Sequence, residues 1–299
     1  MIRLASMRLP RDLQPDREST PQATLIPDGL QHSRFTARRA NRAAYMLCNR
    51  EAISHLVERA AYKRVTHNSS VHALLAQQIE HLLRVRVLQE LELLGDRMES
   101  LVGRQGAVYK SRIIRRLTRE EWKSTRATGV IPYQNGVAVL VVPPLNRDPI
   151  SKTRPDGSMS TSPLVEHALP TPLGAPPPLS TLHLTTTLET VDNSLPQARI
   201  PLYNGVALFP ARAQRAAFYT LLTRLLDIET RSPHTTSVKT AEKVNSQDKK
   251  ASHGFLLCSD AERADVAAVG IALWRVRMFE GGGWDASETN SNAWVNNIT

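Results

Sequence analysis

Between Pro143 and Pro201 the chain carries twelve of its nineteen prolines, three of them consecutive at Pro176, Pro177 and Pro178. This span constrains the fold more than any other feature. Proline has no amide hydrogen to donate and its ring clashes with the preceding helical turn, so the segment cannot hold a regular helix or a central strand throughout. It reads as an extended arm or long insertion at 143–201, with Leu182 to Leu188 as an edge strand. Regular packed structure must therefore come from the sequence on either side.

On the N-terminal side, Tyr45, Met46, Ile53, Leu56, Val57 and Ala60 recur at helical spacing and predict a helix over Ala43 to Tyr62. Ser69 or Ser70 then reads as the cap of a longer helix. In it Leu74, Leu75, Ile79, Leu82, Leu83, Leu88, Leu91 and Leu94 form a broad apolar stripe that runs on to about Leu101. Together these predict an N-terminal helical hairpin or a long helix. Thr118 followed by Glu120 and Glu121 marks a further helix start.

On the other side of that helix start lies a short internal repeat. Ile131 to Ala138 matches Ile200 to Ala207 at six of eight positions, and both copies contain Asn-Gly. Asn-Gly signals a tight turn, so each copy reads as a turn feeding a strand of one sheet: Val137 to Val142, stopped by Pro143, and a shorter Leu208 to Phe209, stopped by Pro210. An amphipathic helix follows over Ala211 to Ile228, then a polar loop at 232–253 expected to be disordered, a buried strand at Gly254 to Cys258 and a helix from Ala261 to about Phe279. Strand, helix, strand, helix favours a small α/β layer, or α+β, because parallel strands need crossover connections. The predicted organisation is an arm at 1–42, a basic helical region at 43–127, a small α/β domain at 128–283 and a tail at 284–299.

The charge points to a partner. Net charge is +10, and the 38 basic residues divide into 30 Arg and 8 Lys. Arginine's planar fork grips phosphate in two places and stacks on bases, whereas lysine is a hydrated point charge, so the skew favours nucleic acid. The densest stretch lies between Gly103 and Ala127: Arg104, Lys110, Arg112, Arg115, Arg116, Arg119, Lys123 and Arg126 stand against only Glu120 and Glu121. Tyr109 and Trp122 are interleaved with them. Cations with interspersed aromatics suit structured RNA, whose phosphates take arginine and whose unstacked bases take rings.

The first fifty residues hold nine Arg and no Lys, which resembles the start of a mitochondrial matrix protein. No apolar run reaches the length of a membrane span. Two cysteines, Cys48 and Cys258, are too few for a disulfide framework or a zinc site, although one bond between them is compatible with the sequence. The histidines show no metal-ligand spacing, and Gly281 to Gly283 follows a helix rather than opening one, so neither a metal nor a phosphate-loop cofactor is expected. Cys258-Ser259-Asp260 stands at the end of a strand, but Asp260 reads as a helix cap and Cys258 as a buried strand residue. No catalytic residue is expected.

Several strings here resemble a fungus-restricted accessory protein of the mitochondrial small ribosomal subunit. They are Leu91 to Met98, the basic stretch to Glu121-Trp122, Gly129 to Asn135 with Val137 to Pro144, and Phe255 to Asp260 with Asp265 to Val269 and Leu273 to Arg275. The resemblance covers about 70–280 and implies a structural component that binds mitochondrial ribosomal RNA and neighbouring ribosomal proteins in the matrix, without catalysis. Two other classes remain compatible with the sequence. One is a mitochondrial translation activator or ribosome assembly factor; the other is a small α/β enzyme or nucleotide-binding protein using strand ends near Asn135, Asn204 and Asp260.

Overall fold

The structure, a computed structural model, describes residues 1–8, 23–37, 43–64, 69–102, 112–133, 135–143, 145–147, 152–160, 178–185, 199–231, 251–259 and 266–282. In chain order its elements are β1 (Ile2–Arg8), β2 (Ala23–Asp28), β3 (Ala43–Met46), α1 (Glu51–Glu58), β4 (Ser69–Val71), α2 (Leu75–Val102), β5 (Ile114–Thr118) and α3 (Arg119–Thr128). There follow β6 (Val130–Ile131), β7 (Gly136–Val141), β8 (Ser180–Thr185), β9 (Arg199–Asn204), α4 (Gly205–Leu208), α5 (Arg212–Arg231), β10 (Ala251–Cys258) and α6 (Val266–Phe279). Helices combine with two mixed sheets, so the fold is of the α/β or α+β kind. The chain divides into two compact units, 1–89 with 272–286 and 90–271 with 287–299.

The first unit is built on a four-stranded sheet in the order β3-β1-β2-β4. Here the structure corrects the expected N-terminal arm: β1 is a central strand, antiparallel to both β2 and β3, and Ile2, Leu4 and Ala5 are fully buried. The arginine that suggested an arm is neutralised inside the sheet, because Arg3 pairs with the buried Asp28 directly opposite it on β2. The helix expected over 43–62 is likewise shorter, since Ala43–Met46 pairs with β1 and only Glu51–Glu58 is α-helical. Ser69 and Ser70 form β4 rather than a cap, paired in parallel with β2. Of the two forms expected, the long helix is present as α2, while within 43–62 strand pairing with β1 overrode part of the helical pattern.

Helix α2 fulfils the stripe: Leu75, Ile79, Leu83, Leu88, Leu91 and Leu94 are buried. In the first unit its polar positions are tied down too. Glu80 pairs with Arg50 at 3.0 Å and with Arg84, while Arg50 also reaches Glu280 at 3.4 Å. Burial, with Glu80 adding like charge, pushes the Glu280 carboxyl up despite the two arginines beside it.

The second unit holds a six-stranded sheet in the order β5-β10-β7-β9-β8-β6. β10 is antiparallel to β5 and β7, β7 runs parallel to β9, and β8 is antiparallel to β9. One face carries Leu117, Ile131, Val139, Val141, Ile200, Leu202, Leu256 and Cys258, covered by Trp122 of α3 and by Tyr133. On the other, Tyr219 of α5 meets Phe255 edge-on at 6.3 Å. The strand expected within the proline-rich span is present as β8, second from the edge because Leu184 and Thr185 also pair with β6. Its His183 is a satisfied core histidine, bonded to Thr181 Oγ1 at 2.8 Å and to the Gly129 carbonyl at 3.1 Å, and burial lowers its pKa.

Both copies of the repeat lie in this sheet, yet their matching letters do opposite jobs. In the first, Gly136 closes a turn onto the Tyr133 carbonyl at 3.2 Å and opens β7. In the second, Asn204 ends β9 and caps α4, accepting the Val206 amide at 3.0 Å. Leu208 and Phe209 are therefore not a strand. Close approach requires glycine at Gly205, where an added Cβ would lie 2.7 Å from the Val141 carbonyl oxygen, while at Gly136 it would meet the movable end of Ile200 at 2.6 Å and the Tyr133 carbonyl oxygen at 3.2 Å.

Candidate nucleic-acid interface

The basic stretch falls on β5, the edge strand of the six-stranded sheet, and on α3 which follows it. Arg104, Tyr109 and Lys110 lie outside the described residues, as does the expected cap Asp260. The rest separate according to geometry. The helix start occurs where Thr118 and Glu121 predicted it, as a reciprocal capping box: Thr118 Oγ1 accepts the Glu121 amide, and the Glu121 carboxylate accepts the Thr118 amide at 2.8 Å.

That carboxylate also engages Arg115. Two guanidinium nitrogens donate to Glu121 at 3.0 Å each, the Tyr133 hydroxyl donates to Glu121 Oε1, and the Arg115 guanidinium lies 4.5 Å over the Tyr133 ring. Burial opposes ionisation of Glu121, but the hydrogen bonds from Arg115, Tyr133 and the Thr118 amide outweigh it and hold the carboxyl at about 2. Burial pulls on Arg115 in the opposite sense and Glu121 outweighs that as well. Arg115 is thus a structural cation, held by Glu121 and Tyr133. Trp122 is partly buried and packs against the sheet core.

Arg116 points the other way, as alternation along a strand requires. Its guanidinium lies 4.8 Å over the Phe255 ring and 5.9 Å over Tyr219, and it donates to the Tyr219 hydroxyl at 3.2 Å. Among the described residues Arg116 has no carboxylate partner, and the same holds for the exposed Arg112 and Arg119. Lys123 is exposed beside Glu120 at 3.7 Å, and Arg126 is half-buried. His253, exposed on β10, joins this group without having been singled out in the sequence. Burial lowers its pKa, and both Arg116 and Arg119 push it further down, so cationic charge converges there.

Of the strand ends considered for chemistry, those at Asn135 and Asn204 are occupied by turn and cap bonds. The Ser259 amide donates to the Asn135 carbonyl at 2.7 Å, and Asn204 is buried as the cap of α4. Cys48 and Cys258 are both buried free thiols, and burial pushes the Cys258 thiol up against the weaker pull of Arg115. Among the described residues no three His, Cys, Asp or Glu side chains are placed to hold a metal ion, and no helix is long and apolar enough to cross a membrane. No protein-family model, curated protein or solved structure matches the chain.

Proposed function

We propose that this chain is a non-catalytic, RNA-associated protein of the mitochondrial small ribosomal subunit, holding ribosomal RNA through the β5 edge of its six-stranded sheet and supporting mitochondrial translation. One observation carries the reading. Arg112, Arg116 and Arg119 stand at one sheet edge without a carboxylate partner among the described residues, while their neighbour Arg115 is neutralised. A half-buried arginine held by aromatic rings and left without an acid is matched to an external anion, and the planar fork fits phosphate. The arginine-rich composition and the resemblance to a fungal mitochondrial ribosomal accessory protein favour RNA of that particle as the anion.

The matrix location belongs to the same proposal and rests on the Arg-rich start. Since β1 begins at Ile2, an import signal in this segment would also have to serve as a sheet strand after import. Sedimentation of a tagged chain from mitochondrial lysate tests the whole reading. Co-migration with the small subunit at low salt, persisting in translating ribosomes, is expected. Migration at the top of the gradient at low salt overturns it, and presence only on immature subunits favours an assembly factor instead.

A further inference from the structure

The register of the edge hairpin contains an irregularity beside these arginines. On β10, Ala251 pairs with Thr118 and Phe255 with Arg116 of β5, so Ser252, His253 and Gly254 together oppose the single residue Leu117. A bulge of this kind bends the strand and re-aims a side chain. Here Ser252 and Gly254 are buried while His253 between them is exposed. The bulge is held from inside: the Gly254 amide donates to Ser252 Oγ at 3.0 Å, and the Val142 amide donates to the His253 carbonyl at 3.0 Å. The position of Gly254 is tight. An added Cβ there would stand 3.2 Å from Leu117 Cδ1 and 3.5 Å from Trp122 Cε3.

The exposed imidazole therefore belongs to a fixed backbone, and the register brings it to one stretch of the edge with two arginines: His253 lies between Ala251, paired with the Thr118 that immediately precedes Arg119, and Phe255, paired with Arg116. Arg116 is itself immobilised by Phe255, its register partner, and by Tyr219 of α5. No carboxylate acts on His253 among the described residues; the charges that act on it are these two guanidinium groups. Placing two cations around a group that could become a third is unfavourable in the empty protein and is relieved by an anion. We infer that Arg116, Arg119 and His253 form one phosphate-recognition site, taking a phosphodiester of RNA, in which His253 gains a proton as the phosphate enters. This rests on the RNA reading above and adds to it a named site and a dependence on pH.

The sign follows from linkage. Partial burial and then both arginines lower the proton affinity of His253 in the free protein, and a bound phosphate offsets the arginines and raises it again. Binding then takes up a proton, so RNA affinity increases as pH falls toward and below the ordinary histidine range.

The test is fluorescence anisotropy of a labelled single-stranded oligouridylate with the purified full chain, at fixed salt. The chain should bind several-fold to about tenfold more tightly at about pH 5.5 than at about pH 8, the range one histidine can supply. His253→Gln should remove most of that difference, bringing the affinities at the two pH values together. Arg119→Gln, at an exposed position that leaves the fold intact, should weaken binding at both pH values. If the chain binds RNA but His253→Gln keeps the full pH dependence and Arg119→Gln keeps full affinity, the site is wrong and the RNA reading stands. If the chain binds no RNA at any pH, both fall. Tighter binding to phosphatidylserine vesicles than to the oligonucleotide overturns the assignment to RNA.

Discussion

Glu121→Gln separates the charge in the β5–α3 network from its hydrogen bonds. Glutamine can still complete a capping box, so the Thr118 amide keeps an acceptor, while Arg115 loses its counter-charge in a half-buried position. The Glu121 carboxyl lies at about 2 against an ordinary 4.5, and at about 1.4 kcal/mol per tenfold change in proton affinity the full difference is about 3.5 kcal/mol. Its side chain is 28 % exposed, however, and solvent screening brings the expected loss to about 1–2 kcal/mol. The pH dependence gives the sharper test. A carboxyl whose folded pKa is depressed stabilises the protein fully above about 4.5 and loses that contribution as pH falls from there toward about 2. Urea unfolding of both proteins, followed by tryptophan fluorescence with circular dichroism, should show the native chain more stable at pH 7 and the gap closing on acidification. A gap that stays constant from about pH 7 to about pH 3 would refute the electrostatic account and leave only packing.

Other consequences follow from the two sheets. Deleting residues 1–8 removes the central strand β1 with the fully buried Ile2, Leu4 and Ala5. At about 1.5–3 kcal/mol for each large apolar side chain, the deletion should abolish cooperative thermal unfolding of the first unit, read by calorimetry. Gly205→Ala places a methyl 2.7 Å from the Val141 carbonyl oxygen, and the forced shift should cost about 1–3 kcal/mol in urea unfolding. Because His183 has a lowered pKa, its contribution to stability is present above the ordinary histidine value near 6.5 and is lost as pH falls below it. His183→Gln should therefore flatten the acid side of the stability profile measured by thermal melts.

The sequence was most legible where one periodicity ran long enough to bury a whole face. The leucine stripe of α2, the amphipathic α5, and the apolar runs of β7 and β10 all appear within a few residues of where their patterns predicted them. The first unit was not readable in this way. Its strands are short, and β1 carries arginine that looks like an exposed arm until Asp28, more than twenty residues away, is known to lie opposite it. The same limit applies to the basic stretch. Adjacent arginines 115 and 116 are equivalent as letters, and their fates divide only because strand alternation sends one toward Glu121 and the other toward Phe255. His253 was hidden for a third reason, since a bulge depends on the register between two strands and no local pattern encodes it. Chemically identical Asn-Gly pairs at 135–136 and 204–205 likewise open one strand and end another.

The most direct test of the central claim is the salt dependence of binding between the purified chain and small-subunit ribosomal RNA, measured from about 50 to 300 mM monovalent salt. Arg112, Arg116 and Arg119 are replaced together by Gln, and Arg115 is left in place to preserve its structural ion pair with Glu121. The native chain should lose affinity steeply as salt rises. At about 0.7 per phosphate contact on single-stranded RNA, the variant's slope should be shallower by up to about 2, with weaker binding and little change in sequence preference. A variant that folds and binds with unchanged affinity and unchanged slope would contradict the account.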